Sequence, residues 1–143
     1  MNIPSLDLLR NAALFRKQYH VYVSNAIKDS NLNISSAEFG FLKELIHTDG
    51  VIQEVLVQNT CVDKAATSRI IKSLEQKSLI IRVKNETDKR SLKVFLTSEG
   101  KELVPVINNI LQGWYLALTT AVGEEKVELF ISLFTELNEN HPK

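Results

Sequence analysis

The stretch VDKAATSRIIKSLEQKSLIIRVKNETDKRSLKVFLTSEG, residues 62–100, decides the fold. Its first part reads as a helix from Asp63 to about Lys77 with two unlike sides. On a wheel turning about 100° per residue, Ala66, Thr67, Ile70, Ile71 and Leu74 share one half. Lys64, Ala65, Ser68, Arg69, Lys72 and Ser73 share the other. Two short runs suited to strands follow, Ile80 to Lys84 and Leu92 to Thr97, the second alternating in polarity. The segment joining them is charged and longer than an ordinary hairpin loop. Just upstream, Gln53 to Gln58 suits a short helix and Asn59 to Val62 a tight turn. Short helix, turn, and a second helix with one cationic side make a helix-turn-helix, and the long charged hairpin loop after it makes a wing.

The flanks read as helices. Leu8, Ala12, Phe15, Tyr19, Tyr22 and Ala26 recur at steps of four and three, so a long helix is expected from Ser5 to about Lys28, with Pro4 at its tolerant start. Ser35 and Glu38 have capping-box spacing, Ile34 is set to staple onto Phe39, and Phe39, Leu42, Leu45 and Ile46 form the inner side of the next helix. Gly50 is expected to terminate it in the left-handed conformation. Thr97 or Ser98 caps a further helix running to about Ala121, which Pro105 should bend or delay. Its apolar positions are Ile107, Ile110, Leu111, Trp114, Tyr115 and Leu118. After Gly123, a last helix carries Val127, Phe130, Ile131, Phe134 and Leu137. Such apolar terminal helices need a partner surface. A second copy across a two-fold axis suits a DNA reader, because symmetric half-sites demand symmetric proteins.

Charge separates along the chain. The 143 residues are formally neutral, yet Cys61 to Lys93 holds nine cationic and four acidic residues, and the remainder carries the opposite surplus. A basic block in an acidic frame is the footprint of a face that meets a polyanion. No apolar run approaches the ~20 residues of a membrane span, so no membrane partner is expected. The N-terminus lacks the pattern of a secretory signal, and a single cysteine fits a reducing cytoplasm. Cys61, in the turn, is expected to be a small buried hydrophobe. His20, His47 and His141 lack metal-ligand spacing, so neither a metal nor a cofactor is expected. No nucleophile-base set or glycine-rich phosphate loop stands out, which argues against an enzyme.

The chemistry expected of the basic block is contact with double-stranded DNA. A helix in the major groove must show short polar groups and cations outward, which Lys64, Ala65, Ser68, Arg69 and Lys72 provide. On the wing, Lys84, Lys89, Arg90 and Lys93 supply positive charge, and a guanidinium such as that of Arg90 suits a narrow minor groove. Asp88 would repel phosphate unless paired internally. It is therefore assigned to hold Arg90, or a scaffold arginine such as Arg82. An alternative reading is a winged-helix module that meets an acidic protein without sequence-specific DNA binding.

The segment from Gln53 to Leu103 resembles the MarR family of winged helix-turn-helix transcriptional regulators. The resemblance is carried by Gln53-Glu54, Val62-Asp63-Lys64, Arg69, Leu74-Glu75, Lys77, Leu79-Ile80, Arg82, Asp88, Arg90, Leu96-Thr97 and Gly100. It implies a mainly α fold with a small β-hairpin wing, a winged helix-turn-helix DNA-binding lobe over 33–97, long dimerisation helices over 5–30 and 98–140, and one MarR-type domain over 1–143. It also implies a homodimeric regulator, a repressor in the first instance, on a pseudo-palindromic operator. Family members often take small aromatic ligands, and Arg16, Tyr19, Tyr22 and Trp114 are the residues here that would line such an effector site. Ser78 stands where the family has glycine, so the turn there is expected to sit differently; Val57 and Thr60 are further departures.

Overall fold

The computed structural model of the chain describes Met1 and residues 3–141. The elements are α1 (Pro4–Asp29), α2 (Ser36–His47), β1 (Val51–Ile52), α3 (Gln53–Thr60), α4 (Lys64–Gln76), β2 (Ile80–Lys84), β3 (Leu92–Leu96), α5 (Ser98–Glu102), α6 (Val104–Val122) and α7 (Glu124–Asn140). The described residues cluster into two compact units that divide between Asn108 and Asn109, inside α6. Helix α1 belongs with the winged lobe in the first unit, and α7 lies in the second.

Local chemistry explains most of the boundaries. At α2, the Ser35 hydroxyl accepts from the Glu38 N–H while the Glu38 carboxylate accepts from the Ser35 N–H, both at 3.1 Å, which completes the capping box. At α4, the Asp63 carboxylate accepts from the Ala66 N–H at 2.8 Å. Thr97 does the same for Gly100 at 3.0 Å. The helix it caps stops at Glu102, and α6 starts afresh at Val104, so Pro105 falls in a first turn where its missing N–H costs nothing.

Three helices, α1, α3 and α4, stop at left-handed residues that are not glycine, and two of these stops share one hydrogen-bond pattern. After α1, Asn31 has φ 57, and the Asn31 and Leu32 N–H groups donate back to Lys28 and Ile27 carbonyls. After α4, Ser78 has φ 60, and the Ser78 and Leu79 N–H groups donate to Glu75 and Leu74. These are Schellman caps. The expectation of a different turn at Ser78 is therefore corrected: serine takes up the conformation that glycine adopts freely, because two backbone hydrogen bonds hold it there. Ser78→Gly should relieve that strain and raise stability by about 0.5–1 kcal/mol after the entropy glycine adds to the unfolded chain. Urea unfolding at constant m-value measures it.

Gly50 is also corrected. Helix α2 stops earlier, with Thr48 as its C-cap in extended conformation. Gly50, at φ 77, instead turns the chain into β1, and its N–H donates to the Val94 carbonyl at 3.0 Å. Strand β1 is an addition to the expected hairpin. It makes a three-stranded antiparallel sheet in the order β1-β3-β2, with Val51 opposite Val94 and Ile80 opposite Leu96.

The first unit's core gathers Phe39, Phe41, Leu42 and Leu45 of α2, Leu56 of α3, Ile71 and Leu74 of α4, Ile80 of β2 and Val94 of β3, all fully buried. Each such side chain contributes roughly 1.5–3 kcal/mol, so α2, α4 and the sheet are fixed by one shared core. In the second unit, Ile110 and Val127 are buried, whereas Phe130, Ile131, Leu133, Phe134 and Leu137 of α7 are exposed.

Candidate nucleic-acid interface

Helix α4 turns its two sides as its sequence dictates. Thr67, Ile71 and Leu74 are buried, while Lys64, Ala65, Ser68, Arg69 and Lys72 are all exposed. The cap at Asp63 places Lys64 and Ala65 in the first turn, so the outer face begins at the helix start, where backbone N–H groups are unsatisfied. Among the described residues the two ion pairs are Lys77–Glu38 at 2.9 Å and Arg82–Glu75 at 2.7 Å. Neither uses a cation of this outer face or of the wing loop, which leaves those charges for an external anion.

The wing loop, residues 85–91, is built on itself. Asn85 is buried at its base and donates from Nδ2 to Ser91 Oγ at 3.1 Å. Its Oδ1 accepts from the Thr87 hydroxyl at 2.9 Å and from the Thr87 N–H at 3.3 Å. The Ser91 hydroxyl and N–H both donate to the Asp88 carbonyl at 3.1 Å. The Asn85 N–H donates to the Ser91 carbonyl at 3.1 Å and extends the ladder by one rung. Lys89 and Arg90 project from this frame and are exposed.

The role assigned to Asp88 is refined by these contacts. Its carboxylate accepts from the Arg90 main-chain N–H at 3.0 Å and so sets the backbone of the arginine. The alternative partner, Arg82, is corrected: Arg82 pairs with Glu75 of α4, because both project into the gap between α4 and β2 while Asp88 lies at the far end of the hairpin.

Strand register separates two lysines that the sequence groups together. Directly opposed residues of an antiparallel pair share a face. Arg82 opposes Val94 and Lys84 opposes Leu92, so Arg82 and Lys84 lie on the face that carries buried Val94 and the link to α4. Lys93 opposes Val83 and Ile52 and lies on the other face of the central strand, half-buried. Lys93 is therefore set apart from Lys84, while the α4 outer face, Lys84, Lys89 and Arg90 are all exposed.

Cys61 is exposed, not buried as expected. It sits at φ 55 in the turn that ends α3, where the chain reverses at the surface. Of the aromatic-ligand candidates, Arg16, Tyr19 and Tyr22 lie on α1 in the first unit and Trp114 on α6 in the second. Arg16 is exposed, Tyr19 and Tyr22 are half-buried, and the Lys43 ammonium stands 5.7 Å from the Tyr19 ring centre.

Sequence reasoning misses Asn85, Ser91 and the pairing of Glu75 with Arg82. The first two are neutral polar residues whose importance emerges only when the hairpin pairs them. Glu75 carries a signal, being seven residues before Arg82 across a single turn.

The MarR family model matches residues 34–92, from the start of the α2 region through the wing. A solved MarR transcriptional regulator from Methanosarcina mazei Go1 is 30% identical, over 93% of this chain and 96% of that one, with a TM-score of 0.78. The uncharacterised HTH-type transcriptional regulator YybA of Bacillus subtilis (strain 168) is 26% identical over 129 residues, 90% of this chain and 77% of its own length. NadR, solved in complex with 4-hydroxyphenylacetate, shares the fold at a TM-score of 0.76 and 22% identity, over 99% of this chain and 96% of that one. With a close-packed helix-turn-helix, a wing and these relatives, the chain belongs to the MarR family of transcriptional regulators.

Proposed function

We propose that the protein is a cytoplasmic homodimer that binds a pseudo-palindromic operator, represses transcription from it, and is released by a small aromatic ligand. One observation carries the reading. The outer face of α4 and the tip of the wing are both exposed and cationic, and neither ion pair among the described residues uses one of their cations. Exposed apolar side chains on α7 and on the first half of α1, among them Leu6, Leu9, Phe134 and Leu137, support the dimer. The likeness to NadR, solved with 4-hydroxyphenylacetate, supports a ligand of that chemistry.

Selection of bound duplexes from a random pool tests all parts together. The expected product is a two-fold symmetric site with half-sites about one helical turn apart, roughly 34–36 Å. Affinity should fall with salt at about −0.9 per phosphate contacted. Addition of 4-hydroxyphenylacetate should weaken the complex. A pool that yields no preferred sequence favours the protein-interaction module instead.

Asp88→Ala offers a sharper check on the wing. It removes a negative charge, so simple electrostatics predicts tighter binding. Because the carboxylate fixes the Arg90 main chain, the expected result is weaker binding, by about fivefold, the equivalent of one charged hydrogen bond's alignment. Equal or tighter binding in a gel-shift titration removes this role from Asp88.

A further inference from the structure

We propose that Glu38 is a positioning residue for DNA readout: buried at the start of α2, it locks the last turns of α4 against roll, so that the outer face of α4 meets the groove in one register. The proposal rests on the DNA-binding reading above.

A capping-box glutamate normally serves only its own helix start. Glu38 does more. It is 5% exposed. Its Oε1 takes the Ser35 N–H at 3.1 Å and the Lys77 ammonium at 2.9 Å, and Oε2 takes the Ser73 hydroxyl at 3.5 Å. The same ammonium donates to the Asn33 carbonyl at 2.9 Å. One buried carboxylate thus joins the loop before α2, the first turn of α2, and two positions at the end of α4.

Apart from the Thr97 hydrogen bonds to the Ser78 and Leu79 carbonyls just beyond its end, what else holds α4 is less directional. Thr67, Ile71 and Leu74 pack into the apolar core, and apolar contact resists separation far better than it resists small rotations. The Asp63 cap bonds within its own helix and does not fix roll against the lobe. The Arg82–Glu75 pair is about a third exposed on each side, in a setting where ion pairs are weak. In the Glu38 cluster, by contrast, the carboxylate side chain is only 7% exposed, although Lys77 is 28% exposed, and a buried carboxylate left unpaired is costly, so its geometry is enforced. Ser73 directly follows Lys72 of the outer face. A roll of that turn by roughly 10–20° would displace side chains that read base edges beyond working tolerance.

The test uses the full chain, its selected operator and a scrambled duplex of equal length, at one salt concentration, with thermal unfolding in parallel. Glu38→Gln combined with Lys77→Met removes the charge pair while leaving an oxygen to accept from Ser35. In the folded double variant, scrambled-duplex affinity should stay within about twofold, since no phosphate contact is lost. Operator affinity should drop on the order of tenfold, the size of one misaligned base contact. Lys77→Arg alone, which keeps both donations, should retain most of the wild-type ratio. Lys77→Gln, at a half-buried position and less prone to misfold, is the second arm and should show a smaller loss in the same direction. An operator-to-scrambled ratio unchanged in the folded double variant, or in folded Lys77→Gln, overturns the proposal and leaves Glu38 a purely structural cap. A wild-type protein with no preferred sequence overturns the regulator reading, and the proposal with it.

Discussion

Replacing Gly100 by alanine should cost about 3 kcal/mol or more and lower the unfolding midpoint by roughly 10 °C. Gly100 is buried in the first turn of α5, where that helix crosses the turn after α4. A β-carbon there would drive into the Leu79 carbonyl oxygen and crowd a Leu96 methyl at 3.2 Å. Backbone cannot yield as a side chain does. The Leu79 carbonyl accepts from the Thr97 N–H at 3.1 Å, and the neighbouring Ser78 carbonyl accepts from the Thr97 hydroxyl at 2.6 Å. Moving the obstacle breaks the link between wing and α5. Gly40 is the internal control. It lies within α2, and a methyl group added there would meet nothing within 4 Å, so Gly40→Ala should be neutral or stabilising by up to about 1 kcal/mol. Calorimetry that finds the two variants equally stable would refute the argument.

The second large effect concerns assembly. Phe134 and Leu137, one turn apart on α7, are 38% and 59% exposed in the single chain. Aspartate at both should cost an isolated protomer little beyond the Phe130–Phe134 ring contact, because each position already meets water. In a dimer that buries them, each unpaired carboxylate costs roughly 3–5 kcal/mol. The dissociation constant of the F134D/L137D protein should therefore rise by about a thousandfold or more. Sedimentation would show monomer with an unchanged circular dichroism spectrum, and operator binding would fall with it, since one half-site gives up the second set of contacts. A variant that remains dimeric places the interface elsewhere.

Much of the lobe is legible in the sequence because its signals are local. Ser35 with Glu38, Asp63 before Ala66, and Thr97 before Gly100 are caps spelled within four residues, and the α4 wheel divides as its burial does. What escapes a sequence reading depends on distant partners. Strand β1 is two residues long and exists only because Val51 and Ile52 find Val94 and Lys93. Gly50 reads as a helix stop, yet its missing side chain makes room for the Phe95 ring, which a β-carbon would approach to 2.7 Å. Lys84 and Lys93 look alike until register puts them on opposite faces. Charge and nearness in sequence offer Arg82 to Asp88, but Glu75 claims it once α4 folds back on β2. Glu38 is legible as a cap, whereas its reach to Lys77 spans 39 positions, for which no local pattern exists.

The self-bonded loop between Asn85 and Ser91 has a thermodynamic corollary. A fingertip already hydrogen-bonded within itself would lose little conformational freedom on docking to DNA, so complex formation would carry little coupled-folding penalty at this point. Titration calorimetry across temperature should then return a heat-capacity decrement that scales with the area desolvated, and Asn85→Ala, by loosening the fingertip beforehand, should make that decrement larger and the entropy of docking less favourable.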